Sequence, residues 1–174
     1  MKKFITMLLV GLMLAGGTIA VYAEEPGDTL AESLLEEGQG TRAARLGEPK
    51  LKEFIEEIHS INDLRIERNQ LRAQVIEKHD QLIDLLIAAR EEGNKEELKA
   101  VKTEREKLKA INAEIKTLHE QASAARKAFR EALKDGASET AGAELEKLIN
   151  AHNSINDKTE SKIPILDNII NILS

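Results

Sequence analysis

The stretch "AREEGNKEELKA" (residues 89–100) decides the fold, because it turns one long helical segment back onto the next. Gly93 suits the left-handed backbone conformation that commonly follows a helix C-terminus, and Asn94 is a favourable N-cap. Glu97 stands three residues after Asn94, the spacing of a capping box, and Glu96 adds negative charge at the positive helix end. So short a turn predicts that the two helices run antiparallel.

The segment before this turn has the apolar spacing of a coiled-coil seam. The first seam residues, Leu51 to Ile61, follow 3-4-3 spacing, and the seam resumes one step out of phase from Leu64 to Ala89. Other apolar residues widen the stripe: Ile55, Ile76, Ile83, Leu86 and Ile87. A stripe wider than a two-helix seam predicts that this first helix touches more than one partner.

The segment after the turn is apolar at every one of eight heptad positions, up to about Asp135. These positions are Leu108, Ile111, Ile115, Leu118, Ala122, Ala125, Phe129 and Ala132. Gly136 and Ser138 then predict a second tight turn, and Pro164 predicts a kink near 160–164 in the third helix. The predicted fold is all-α: an elongated, coiled-coil-like antiparallel hairpin with a third C-terminal helix, together a three-helix bundle. Its helices span about 50–92, 95–135 and 139–173.

The last eleven residues, "PILDNIINILS", form an amphipathic helix whose polar face carries no lysine or arginine. Its apolar face is the candidate protein-interaction surface: Ile165, Leu166, Ile169, Ile170, Ile172 and Leu173. Two interpretations stay open here. The face packs back onto the bundle and closes it, or it stays exposed and docks a partner or an unfolded client. A membrane-surface helix is the weaker alternative, because such helices usually carry basic residues.

The N-terminus has the pattern of a secretory signal peptide, with Lys2 and Lys3 before an apolar run. The small residue Ala23 precedes Glu24, so we predict cleavage between them, giving a signal peptide of residues 1–23 and a secreted or extracytoplasmic protein. A retained membrane anchor is the alternative, because the apolar run is long enough to span a bilayer. Residues 24–49 are predicted to be a flexible leader with one short helix, ahead of the bundle over 50–174.

Composition limits the partners of the exported chain. Removing Lys2 and Lys3 from the 25 basic residues leaves 23 against 31 acidic residues, a net charge of −8. This balance argues against nucleic-acid binding, which depends on neutralising phosphates. The chain has no cysteine, so neither a disulfide nor a cysteine-linked lipid can contribute.

The sequence carries no pattern typical of an enzyme, such as a nucleophile elbow or a phosphate-binding glycine loop. Glu56-x-x-His59 has the spacing of a di-iron bundle site, but no second copy of the motif occurs. In a tight second turn His152 would lie about one turn from His119. We interpret these histidines as seam and surface residues, and predict no catalytic, cofactor or metal site.

The export signal, the absence of cysteine and two long helices joined by "EEGNKEELKA" resemble the Spy/CpxP-type extracytoplasmic chaperones over residues 50–135. The family's Leu-Thr-x-x-Gln repeat is absent; the nearest match is "TLHEQ" (117–121). The resemblance implies a small helical protein, often dimeric, that binds unfolded proteins without ATP.

Two functions follow as hypotheses. The first is an exported protein-binding module for unfolded or envelope proteins, an ATP-independent holdase-like chaperone or envelope-stress protein. The sequence leaves its oligomeric state, monomer or homodimer, open. The second is a structural coiled-coil spacer or adaptor of the cell envelope that binds no client. After cleavage no membrane contact is expected in either case.

Overall fold

The computed structural model describes residues 51–174, which belong to one compact unit of the chain. The predicted signal peptide, the predicted cleavage site between Ala23 and Glu24 and the predicted leader of residues 24–49 lie outside the described residues. The described chain begins with a 3-10 turn, Lys52–Phe54, followed by α1 (Ile55–Glu92), α2 (Lys95–Asp135), α3 (Ser138–Glu160) and α4 (Lys162–Leu173). Every element between residues 51 and 174 is helical, and the prediction of an all-α fold is confirmed.

The turn between α1 and α2 has the backbone that its glycine predicts. Gly93 adopts a left-handed conformation with φ 78°, and its N–H donates to Arg90 O at 3.3 Å. The next N–H, that of Asn94, donates to Ala89 O at 2.9 Å. These two bonds satisfy two of the carbonyls left open at the end of α1. The predicted capping box does not form: the Asn94 side chain makes no cap and donates instead to Glu92 Oε2 at 3.0 Å.

The turn between α2 and α3 repeats this geometry. Gly136 has φ 75° and donates to Leu133 O at 3.2 Å, and Ala137 N–H donates to Ala132 O at 2.9 Å. Ser138 is not the N-cap that its position suggested. It is the first residue of α3, and its hydroxyl donates to Glu53 Oε2 at 3.0 Å, joining the start of α3 to the turn before α1.

The helices alternate in direction, as two contacts between them show. Phe54 at the start of α1 meets Phe129 near the end of α2, with ring centroids 5.6 Å apart and ring planes at 86°. Lys158 near the end of α3 pairs with Glu114 of α2 at 2.5 Å. The third helix packs along both α1 and α2, while α1 and α2 touch each other only sparsely. The described chain is therefore a helical bundle held together mainly by α3 and α4.

The third helix is broken between α3 and α4 at Ser161, three residues before Pro164. Proline has no backbone N–H to donate within the helix and disfavours regular helix just before it. The break lets α4 settle against α1 and α2 near their connecting turn. There a core cluster contains Val75, Leu82, Val101, Leu108, Leu166 and Ile169.

Candidate interaction surface

The C-terminal helix is a packed element and not the open docking surface considered from the sequence. Leu166 is fully buried and Ile169 is 2% exposed. The other four predicted surface residues are half-buried and lie against the same core cluster: Ile165, Ile170, Ile172 and Leu173. Lys78 of α1 also forms an ion pair with Asp167 of α4. The predicted interaction surface is wrong at Leu166 and Ile169, because both side chains are buried in the core cluster where α4 covers the end of the bundle.

The exposed apolar residues lie on α1 instead. Among residues 51–174 the exposed large hydrophobic side chains are five isoleucines, 43% to 58% accessible: Ile55, Ile66, Ile76, Ile83 and Ile87. We call these residues the isoleucine stripe. Their spacings of 11, 10, 7 and 4 residues place them on one face of a helix with 3.6 residues per turn. At 1.5 Å per residue the stripe is about 48 Å long.

The isoleucine stripe belongs to a regular coiled-coil frame, which we call the outer seam. Its ten positions follow strict 4-3 spacing and every one is exposed: Ile55, His59, Asn62, Ile66, Asn69, Ala73, Ile76, Asp80, Ile83 and Ile87. The buried residues of α1 lie on a different face: Ile58, Ile61, Arg68, Val75, Leu82 and Ala89. We call these buried residues the inner seam. α1 thus carries two seams, and the described chain covers only the inner one.

The face around the outer seam is negatively charged. Five of the residues that directly follow seam positions are exposed acids: Glu56, Asp63, Glu67, Glu77 and Asp84. The three arginines and the lysine between them, Arg65, Arg68, Arg72 and Lys78, are buried or half-buried. The stripe is therefore suited to a partner that offers apolar side chains together with positive charge.

The sequence contained part of this signal. Apolar spacing predicts four of the five stripe residues as excess apolar positions on α1, but it does not predict Ile66. Polar residues interrupt the outer seam at His59, Asn62, Asn69 and Asp80, and they hide its regular spacing. The sequence signal that includes Ile66 is a second frame of 4-3 spacing along the same helix.

A buried polar cluster lies on the inner side of the same helix. Arg68, His152 and Asn156 are 3%, 1% and 4% exposed. Arg68 Nε donates to Asn156 Oδ1 at 3.2 Å, and its guanidinium also donates to His152 Nδ1. Asn156 Nδ2 donates to Leu64 O at 2.9 Å and to Glu67 Oε2 at 2.8 Å. These bonds link α1 to α3 and fix the orientation of α1.

The cluster keeps His152 neutral. Burial lowers the pKa of His152 to about 3, and the nearby positive charges of Arg68, Arg126, Arg65 and His119 act in the same direction. Because Nδ1 accepts from Arg68, the neutral ring carries its proton on Nε2. The surrounding positive charge disfavours a metal ion at this histidine. His152 therefore serves as a structural hydrogen-bond acceptor.

We expect the bundle to lose stability as the pH falls. Between an ordinary histidine pKa of about 6.5 and the folded pKa of about 3, the unfolded chain binds a proton at His152 that the folded chain does not. The free energy of unfolding should decrease by about 2 kcal/mol between pH 7 and pH 5 from this residue alone. Burial, helped by Lys162, also lowers the pKa of His79, which adds loss in the same direction.

Denaturant unfolding at several pH values measures this effect. His152→Gln keeps a hydrogen-bond acceptor for Arg68 but removes the titration, so its stability should depend less on pH than that of the original chain. The pH dependence that remains in this variant should come from His79. If the free energy of unfolding changed with pH as much in His152→Gln as in the original chain, His152 would not be responsible.

Compared with known proteins, the chain matches no family model, and no curated protein or solved structure is significantly similar to it. Within residues 51–174 no helix combines the length and apolar character needed to cross a bilayer.

Proposed function

We propose that this protein is an exported binding module that holds unfolded or envelope proteins without ATP, in the manner of a holdase chaperone. The isoleucine stripe of α1 is the observation that supports this function. Soluble proteins rarely leave a long apolar face open unless it binds something. This face is about 48 Å long. A convex helix face of that length suits an extended polypeptide better than a small ligand, which prefers a concave pocket.

The bundle prepares the stripe for such binding. α3 and α4 cover the inner seam of α1, and the Arg68–His152–Asn156 cluster holds that helix in one orientation. A rigid helix loses little conformational entropy when it binds, so its affinity depends on the exposed isoleucines. The flanking acids favour client segments in which apolar residues alternate with lysine or arginine.

The alternative function is a structural spacer or adaptor of the cell envelope. The regular spacing of the outer seam supports it, because such spacing is typical of a surface that pairs with another helix. A spacer would recognise one folded partner and would leave denatured proteins unprotected. An assay with a denatured client therefore separates the two functions.

The test uses the full chain, expressed with its own residues 1–23 and purified in the form that the host exports. We expect near-stoichiometric amounts, without nucleotide, to suppress the light scattering of a chemically denatured model protein. Ile76→Asp/Ile83→Asp should abolish most of this suppression, because it puts two charges on the stripe. Suppression should also weaken as salt is raised, since attraction to basic segments is screened.

Gln74→Asp/Gln81→Asp is the matched control. It adds the same two charges to exposed positions of the same helix that are not part of the outer seam. This control should suppress aggregation like the original chain, and both double variants should keep the helical content of the parent. Equal loss in the two variants would reject the stripe as the binding surface. No suppression by the original chain would reject the chaperone and favour the spacer.

A further inference from the structure

The outer seam is self-complementary when two copies of α1 are placed antiparallel. With Ile55 opposite Ile87, the seam positions pair in sequence around a two-fold axis near residue 71. The layers are then Ile55 with Ile87, His59 with Ile83, Asn62 with Asp80, Ile66 with Ile76, and Asn69 with Ala73. By symmetry each layer occurs twice. Four layers pair isoleucine with isoleucine, and the longer polar side chain of Asn69 meets a small one.

We propose that the outer seam of α1 binds the outer seam of a second copy of this chain, antiparallel and in this register. The homodimer covers the isoleucine stripe while no client is present. The inference rests on the proposed function and deepens it, because the second copy and the client bind the same surface. The partner is a second copy because its seam has the length, the 4-3 spacing and the order of polar layers that this one needs.

The polar layers select the orientation. In the antiparallel register the Asn62 amide can donate to the Asp80 carboxylate of the other copy, twice per dimer. In a parallel pair Asp80 would face Asp80, and two carboxylates forced together in a dry seam repel each other. Buried polar layers of this kind commonly fix the orientation and register of helix pairs.

The register is selected in the same way. Sliding the antiparallel pair by one heptad places Ile55 opposite Asp80, or else Ile87 opposite Asn62, and leaves stripe isoleucines without a partner. Only the register centred near residue 71 matches Asp80 with Asn62 and also covers all five isoleucines.

The acidic residues beside the outer seam predict a weak dimer that dissociates and re-forms readily. In this arrangement Glu56 lies near Asp84 of the other copy, and Asp63 lies near Glu77. These like charges repel and are exposed, so added salt screens them and tightens the dimer. Added salt has the opposite effect on the binding of basic client segments, because it weakens their attraction to the acidic residues. The two occupants of the stripe can therefore be distinguished by ionic strength alone.

Sedimentation equilibrium of the exported full chain tests the dimer. We expect reversible monomer–dimer association in the micromolar range that becomes tighter as salt is raised. Asn62→Asp should weaken it roughly 100-fold, because the new carboxylate faces that of Asp80 twice per dimer. Asn62→Asp/Asp80→Asn should restore association, since the two side chains have only exchanged places. A chain that stays monomeric at about 100 µM, or a double variant that is not restored, overturns the proposal.

Disulfide trapping tests the orientation, because the chain contains no cysteine of its own. Asn62→Cys and Asp80→Cys should cross-link when mixed, and neither should cross-link alone, since like positions lie about 27 Å apart along the pair. Efficient cross-linking of Asn62→Cys with itself would show a parallel pair and reject the antiparallel one.

The same variants separate this inference from the proposed function. Asn62→Asp leaves all five isoleucines in place, so it should keep or improve the suppression of client aggregation while losing the dimer. A dimer without any suppression would reject the chaperone function alone. Suppression by a chain that remains monomeric at every salt concentration would reject the dimer alone.

Discussion

Replacing Ile169 with aspartate is expected to lower the free energy of unfolding by at least about 4 kcal/mol, enough to unfold a marginally stable bundle. Ile169 is 2% exposed and lies in the core cluster between α4, α1 and α2. The change removes a buried apolar side chain and puts an unpaired carboxylate in its place. Circular dichroism and guanidinium unfolding measure the loss directly.

Two variants make this result interpretable. Asn171→Asp adds the same charge to an exposed position of α4 and should cost less than about 1 kcal/mol. Ile169→Val removes a single methylene and should cost about 0.5–1.5 kcal/mol, which keeps the protein folded and measurable. If Ile169→Asp were as mild as Asn171→Asp, α4 would be detached in solution, and its apolar face would again be a candidate docking surface.

Truncating Phe129 to alanine is expected to cost about 3–5 kcal/mol. The ring is fully buried and meets the ring of Phe54 edge to face, at a centroid distance of 5.6 Å. Residues 51–174 contain no other phenylalanine, so no third ring of this kind is at hand to fill the cavity. The loss should appear as a lower midpoint in guanidinium with an unchanged slope.

A double-mutant cycle between Phe54 and Phe129 isolates their contact. Changing each residue to leucine keeps most of the apolar volume, and the coupling between the two changes should be about 0.5–1.5 kcal/mol. Additive losses would mean that the ring geometry contributes nothing beyond burial. Because this pair joins the start of α1 to the end of α2, a strong coupling would also show that the two helices are in contact there in solution.

The stability of α4 and the proposed function of α1 are linked. α4 covers the inner seam of α1 near the first turn, where Ile76, Ile83 and Ile87 point outward on the same helix. Loosening α4 would free α1 to rotate or fray, and the isoleucine stripe would lose its fixed geometry. A chaperone assay on a variant of the α4 core therefore reports on stability and not on client contacts.

The sequence by itself determined the features that depend on local backbone chemistry. Gly93 and Gly136 can adopt positive φ without a steric penalty, so the two tight turns follow from residue type and position. The heptad spacing of α1 and α2 likewise determined that both are long helices. The side-chain caps at Asn94 and Ser138 were wrong, because nearby glutamates offered these side chains other hydrogen-bond partners.

The tertiary structure alone decided which apolar faces are covered. Spacing showed that α1 carries more apolar surface than a two-helix seam needs and that α4 has one apolar face, but burial depends on the space between helices. Pro164 and the break at Ser161 place α4 over the gap between α1 and α2, so Leu166 and Ile169 become core. No described helix reaches the opposite side of α1, and the isoleucine stripe remains exposed there. Amphipathic spacing identifies an apolar face that is able to bind, whereas only the packing of the helices shows whether another helix of the same chain already covers it.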